Sequence, residues 1–199
     1  MSDALPASPA PTSATLRSLQ PTRVSVAHSL KRQARTRGAQ RWGMRLTWDA
    51  LTRDQFAPLQ AFLLAQRGQA DSFTLTLSGH NTPRGSWAGT PQVSGADQAG
   101  RSIHIGGLVA NQASAAKAGD LLKFSGHSKV YLVTLDASSN GAGQATLVIE
   151  PALISPIANA EAITVFAVPF TVALVSDSLD ANLMPGGIYS LDIDVAEAW

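Results

Sequence analysis

The chain has no cysteine, which excludes a disulfide framework, cysteine-ligated zinc, iron–sulfur clusters and thiol catalysis. Charge is scarce: 15% of the 199 residues are Asp, Glu, Lys or Arg, against roughly 25% in ordinary soluble domains. Aromatic residues are scarce too, at 6%. Long apolar runs are also missing. The longest, Val165 to Val175, is broken by Pro169 and Thr171, whereas a membrane helix needs about 20 apolar residues, so no membrane insertion is expected. The opening MSDALP carries neither the basic segment nor the apolar stretch of a secretory signal. What is present is 45% hydrophobic residues, enough for a core, under a surface built largely of Ser, Thr, Gln, Gly and Ala. A surface of that kind suits a protein that lives packed against copies or partners.

The formal net charge is +1, but it is laid out unevenly. Residues 1–53 hold nine basic groups against Asp3 and Asp49, while residues 130–199 hold eight acidic groups and no Lys or Arg. Three arrangements account for this. The two ends can share a sheet and neutralise each other within one molecule. They can meet head to tail between copies, where opposite patches set register. Or the basic stretch can be a nucleic-acid footprint, against which stand the acidic end and the lack of aromatics between Lys31 and Arg41.

Residues 1–14 (MSDALPASPAPTSA) are rich in Pro, Ala and Ser and too poor in bulky side chains to offset their ordering entropy, so a flexible or extended arm is expected. Val24, Val26, His28 and Leu30 then alternate with smaller residues, the period of a half-buried strand. Lys31–Gln40 reads as a wide, basic hairpin connection. Trp42, Met44, Leu46 and Trp48 share one face of a second strand, opposite Arg41, Gly43, Arg45 and Thr47. The period changes after Leu51: Phe56, Leu59, Phe62 and Leu63 recur at helical spacing. Thr52 or Asp54 can be the N-cap, Thr52 with Gln55 having the spacing of a capping box; with Asp54 as the cap, Pro58 stays near the first turn, and Gly68 ends the helix. Phe73, Leu75 and Leu77 form a further strand. From Gly79 to Gly119 only Ile103–Ile105 reads as a strand. Leu121 to Phe124, Lys129 to Leu135 and Ala145 to Ile149 make a meander with turns at Gly126 and Asn140-Gly141. Ile163 to Leu174, interrupted by Pro169, and Ile188 to Val195 close the chain.

This order predicts a mainly β protein. Residues 15–85 plus 161–199 form a β-sandwich-like domain with one helix, completed by the C-terminal strands, and residues 86–160 form a small inserted β-barrel. The catalytic inventory is thin. His28 reads as a structural histidine on an apolar face, His80 and His127 as exposed turn residues, and His104 as outward-facing. No zinc helix, P-loop, dinucleotide turn or nucleophile elbow is present. Asp192 and Asp194 share a strand face that reads as solvated, Trp42 and Trp48 read as core, and Trp87 and Trp199 as candidates for an interface. No catalytic residue, metal site or cofactor is expected. Single-strand nucleic-acid binding by the inserted barrel would have only Trp87, Phe124 and Tyr131 for stacking, beside Arg101, Lys117, Lys123 and Lys129.

Two stretches carry a resemblance. LTWDALTRDQFAPLQAFLLAQRGQADSFTLTL, from Leu46 to Leu77, resembles the strand–helix–Gly–strand core of bacteriophage tail proteins. AGDLLKFSGHSKVYLVTLDASSNGAGQATLVIEPAL, from Ala118 to Leu153, is similar to the inserted unit of phage tail-hub proteins. Together they resemble the distal tail proteins of long-tailed phages, Dit-type ring proteins with an inserted oligonucleotide/oligosaccharide-binding-like (OB-like) barrel. The resemblance implies a non-enzymatic virion component of the tail tip, made in the host cytoplasm. It implies a homo-oligomeric ring, hexameric in the family, that contacts the tail tube protein and the hub or baseplate protein while phage DNA passes transiently through its lumen. In that setting Arg32, Arg35, Arg37 and Arg41 are expected at a subunit boundary or facing the lumen. The alternative is a hub- or adaptor-associated binding module whose barrel contacts host saccharide or single-stranded nucleic acid.

Overall fold

The structure is a computed structural model that describes residues 4–199. Fourteen strands and one helix follow one another: β1 (Ser13–Leu19), β2 (Thr22–Val26), β3 (Arg32–Thr36), β4 (Arg41–Leu51), α1 (Arg53–Ala65), β5 (Ser72–Leu75), β6 (Gly89–Val93), β7 (Ser102–Leu108), β8 (Leu121–Phe124), β9 (Val130–Val133), β10 (Ala145–Glu150), β11 (Ile163–Thr164), β12 (Phe170–Leu174), β13 (Ala181–Met184) and β14 (Ile188–Glu197). The protein is mainly β, as the patterning predicts. The chain divides into two compact units: one of residues up to Leu75 together with Thr171–Ala198, the other spanning Thr76–Phe170.

The first unit is built on a sheet of order β1-β4-β14-β12-β5, with β13 also paired to β14. The C-terminal strand β14 therefore lies beside β4, in antiparallel register from Tyr189 opposite Leu51 to Ala196 opposite Gly43. One face of this pair is apolar by simple alternation. Trp42, Met44, Leu46 and Trp48 from β4 and Leu191, Ile193 and Val195 from β14 are all buried. Helix α1 covers that face with Phe56, Leu59 and Leu63. Phe56 stacks on Tyr189 with centroids 4.5 Å apart, and Phe62 meets Phe73 edge-on at 5.4 Å. The capping box forms: the Gln55 side chain accepts the Thr52 backbone N–H at 3.0 Å.

The Pro/Ala/Ser-rich opening is laid along this sheet from Ala4 onward; the first three residues of the expected arm lie outside the described part. Leu5 donates its backbone N–H to Thr74, Thr12 to Thr47, and the Trp48 indole donates to the carbonyl of Pro9 at 2.9 Å. Ser13 already belongs to β1.

Three expectations need correction. The alternation from Val24 to Leu30 is not a half-buried strand: β2 ends at Val26, its residues are all exposed, and His28 lies in an exposed turn rather than on a core face. The expected wide connection contains β3, which pairs with β2 as a separate two-stranded sheet. The long strand over Ile163–Leu174 is two strands, β11 and β12, separated around Pro169 and assigned to different sheets. A proline cannot donate to a ladder, so pairing stops there.

The second unit is a nearly closed barrel of order β11-β8-β9-β10-β7-β6. Closure runs through backbone bonds between Val93 and the 160–161 segment, Val93 N–H to Glu161 at 2.9 Å and Ala160 N–H to Val93 at 2.9 Å. Its interior is filled by Ile103, Ile105, Leu122, Phe124, Tyr131, Val133, Leu147 and Ile149 among others. Strand β6 is absent from the sequence reading because Gly89 and Pro91 hide it. Its only buried apolar residue is Val93. At its start Gly89 and Gly107 face each other across a register shift with φ of +112° and +78°, and a Cβ on Gly107 would lie 2.1 Å from the Thr90 carbonyl oxygen. Only glycine fits there.

Candidate functional site

The residues that bear chemistry do not converge. His28 and His80 are exposed, and His104 faces outward with Nδ1 3.0 Å from the Thr146 hydroxyl. His127 departs from its expected exposure: it is 8% exposed, with Nδ1 2.9 Å from the Tyr131 hydroxyl and Nε2 3.0 Å from that of Ser155. Trp87 departs as well. It is 2% exposed and its indole donates to Asp120 at 2.8 Å, so it supports the barrel rather than an interface. Asp120 also accepts the backbone N–H groups of Arg84, Gly85 and Lys117 at 2.6, 3.0 and 2.8 Å. The carboxylate thus pins two loops to the start of β8. Among the described residues there is no group of three or more His, Cys, Asp or Glu able to hold a metal ion.

In the barrel, Phe124 and Tyr131 are fully buried along with Trp87, so the three aromatics weighed for base stacking offer no open face. Lys129 is buried, Arg101 pairs with Glu150 at 2.9 Å, and the Lys123 ammonium donates to the Pro169 carbonyl. What the barrel does present is a groove lined by the polar side chains of Ser94, His104, Ser138, Asn140, Gln144 and Thr146.

Uncovered strands are the main feature of the sheet-rich unit. β1 pairs with β4 on one side and with no other described strand. β13 likewise pairs only with β14, and all four of its residues are exposed. The β2–β3 hairpin is exposed along its whole length. Its register places Arg23 opposite Arg35 and Ser25 opposite Gln33 on one face, and Val24 opposite Ala34 and Val26 opposite Arg32 on the other. A pair of like charges directly across two strands weakens them, and a lone two-stranded hairpin is marginal in water. Of the four arginines expected at a boundary, Arg32 and Arg35 lie on this hairpin and Arg37 just past its end, its N–H bonded to Pro21. Arg41 lies apart, at the start of β4, where its Nε donates to the Glu197 carbonyl at 2.7 Å. Arg23, opposite Arg35 on the same hairpin, is not among the four. Its signal is the cross-strand pairing, which sequence spacing does not show.

The remaining charge is partly neutralised inside the sheet. Arg45 lies 3.7 Å from Asp192 on the adjacent strand β14, and Arg17 on β1 lies 4.0 Å from Asp194 on β14 across the intervening β4, both on the solvent face. Exposed pairs of this kind contribute about 0–1 kcal/mol. Asp192 and Asp194 are thus a solvated pair with cationic neighbours.

No curated protein sequence matches the chain at a significant level. Residues 80–168, which cover nearly all of the barrel unit, match the family described as "Distal tail protein pb9, B domain". The barrel unit is thus similar to the B domain of a distal tail protein, a likeness that supports a phage distal tail protein.

Proposed function

We propose that the chain is a ring-forming protein of the tail tip, in which about six copies close head to tail and connect the tail tube to the hub or baseplate. The observation that carries this reading is a single sheet with free edges on two different strands, β1 and β13. Open edges are an aggregation hazard that proteins cover, and one edge meeting a different edge of the next copy is a heterologous contact, which closes into a ring when the rotation allows. The sheet-rich unit is then the ring former and the barrel a guest presented by it. Arg32, Arg35 and Arg37 lie at the subunit boundary, Arg41 braces the sheet end beside it, and DNA passes through the lumen without being gripped. Light scattering on purified protein is expected to give a mass near six times 20.8 kDa, alone or on addition of tube and hub proteins. An image of the intact particle is expected to place the copies as one ring at the tail tip. A protein that stays monomeric at high concentration, with tube and hub proteins present, refutes the reading.

A second reading rests on the barrel's groove. Hydroxyl and amide groups around Ser94, Asn140 and Gln144, in a lining without Lys or Arg, suit a neutral saccharide better than a phosphate backbone. Titration with oligosaccharides should then shift the amide signals of these residues while an oligonucleotide leaves them flat, and no response to any saccharide removes the idea.

A further inference from the structure

The hairpin of β2 and β3 lacks what a stable hairpin needs. Val24 and Val26 are 46% and 59% exposed on one face, and Leu30 at the turn is 84% exposed. The other face sets two guanidinium groups against each other, and residues 20–40 carry five cations and no carboxylate. An occupant must therefore supply apolar surface and negative charge together.

The same unit offers a segment with both. The arm formed by β13 and the start of β14 exposes Leu183, Met184 and Ile188, and no charge falls between Ala181 and Leu191. Asp177 and Asp180 lead into it, both exposed. Asp177 accepts from Gln69 and Asp180 from Ser178, and each keeps further acceptor capacity for an incoming donor. Outside residues 20–40, the unit's sequence holds five basic groups against nine acidic ones, so its body is negative where the hairpin is positive. Within one copy both segments stay exposed, so neither covers the other.

We infer that the β2–β3 hairpin of one copy docks on the 177–188 arm of the next, with Val24, Val26 and Ala34 against the exposed leucine and methionine side chains, while Arg23 and Arg35, from the hairpin's other face, reach round its edges to Asp177 and Asp180. This rests on the ring reading and names the contact that closes the ring. A nucleic acid is the weaker occupant. A phosphate backbone would satisfy the arginines but leave Val24 and Val26 in water, and the hairpin has no aromatic side chain for a base to stack on.

Charge exchange in the full-length chain tests it. Arg23→Glu with Arg35→Glu, and separately Asp177→Lys with Asp180→Lys, each place like charge against like. Each double variant should sediment as a monomer under conditions where the native chain assembles, with native far-UV circular dichroism, the lysine pair melting somewhat lower because it gives up the bonds from Gln69 to Asp177. Mixing the two should restore assembly, since each hairpin then meets an arm of opposite sign. The absence of cysteine allows a second readout that needs no charge change: Ala34→Cys mixed with Leu183→Cys should give intercopy cross-links with a flexible bismaleimide. If the Arg23→Glu, Arg35→Glu chain assembles like the native one and the cysteine pair stays uncrosslinked, the docking is wrong and the ring stands. Loss of duplex DNA binding in that variant with assembly intact assigns the hairpin to nucleic acid and also overturns the docking. A native chain that never assembles, with tube and hub proteins present, removes the ring itself.

Discussion

Asp120 is the side chain whose removal should cost the barrel most for its size. Its carboxylate is 2% exposed and takes four N–H donors, three on Oδ2 (Gly85, Lys117 and the Trp87 indole) and one on Oδ1 (Arg84). Each buried donor left without a partner costs about 1–3 kcal/mol, less where water enters the vacated space. Asp120→Ala should therefore destabilise the barrel by about 3–5 kcal/mol, a large share of the roughly 5–15 kcal/mol that holds a domain folded. For a unit near 100 residues that is a fall in Tm of roughly 15–30 °C. Asp120→Asn gives a finer test. With its carbonyl in the Oδ2 place it retains three acceptances, now uncharged, and sets an amide N–H₂ against the Arg84 N–H. It should cost about 1–3 kcal/mol, less than alanine. Urea denaturation followed by fluorescence reads both, because the buried Trp87 reports on the barrel, and hydrogen exchange at Arg84, Gly85 and Lys117 localises the loss. An alanine variant within about 1 kcal/mol of the native chain, or an asparagine variant worse than alanine, would refute the reasoning.

Two further outcomes follow from local geometry. Gly107→Ala drives a methyl to 2.1 Å from the Thr90 oxygen at a φ of +78°, so β6 must part from β7. A loss of about 3 kcal/mol or more in chemical denaturation is expected, and a soluble variant of native stability would show that the strands have room to give. The Arg67 guanidinium, donating to both Asp71 carboxylate oxygens at 2.8 Å, holds that carboxyl below its usual value, chiefly through the hydrogen bonds. A depressed value in the fold means the pair stabilises above the ordinary carboxylate range and the contribution fades as pH falls through the lowered value. Arg67→Ala should move the Asp71 carboxyl titration upward by NMR, and an unmoved midpoint would deny the pairing in solution.

Where burial was supplied by the chain itself, the sequence could be read closely. The Trp42–Met44–Leu46–Trp48 stripe, the capping box at Thr52 and the helical spacing from Phe56 to Leu63 all correspond to a face that this chain covers. Residues 121–124 and 145–149 read as strands because a turn chemistry flanks each. Strand β6 could not be read, since Gly89 and Pro91 are there for a close backbone approach and an irregular register, not for an apolar pattern. His127 and Trp87 were misplaced for another reason. Each lies in a Gly- and Ser-rich loop that looks exposed, and each is buried by polar partners far along the chain, Ser155 and Asp120.

The misreading at Val24–Leu30 has a different character. Alternation there follows the rule for a half-buried strand, yet none of the described residues covers it. Alternating apolar residues on a strand record the presence of a covering surface, not the molecule that provides it. The same holds for Leu183, Met184 and Ile188, apolar positions on a hairpin arm that the chain leaves open. On the proposed docking, these two segments, one cationic and one preceded by carboxylates, stay uncovered until a second copy arrives. On this argument the place where pattern and exposure disagree is itself the assembly signal. It also sets a condition on any structure of the assembled tail: Val24 and Val26 must there be buried, and if they remain in water the disagreement has another cause.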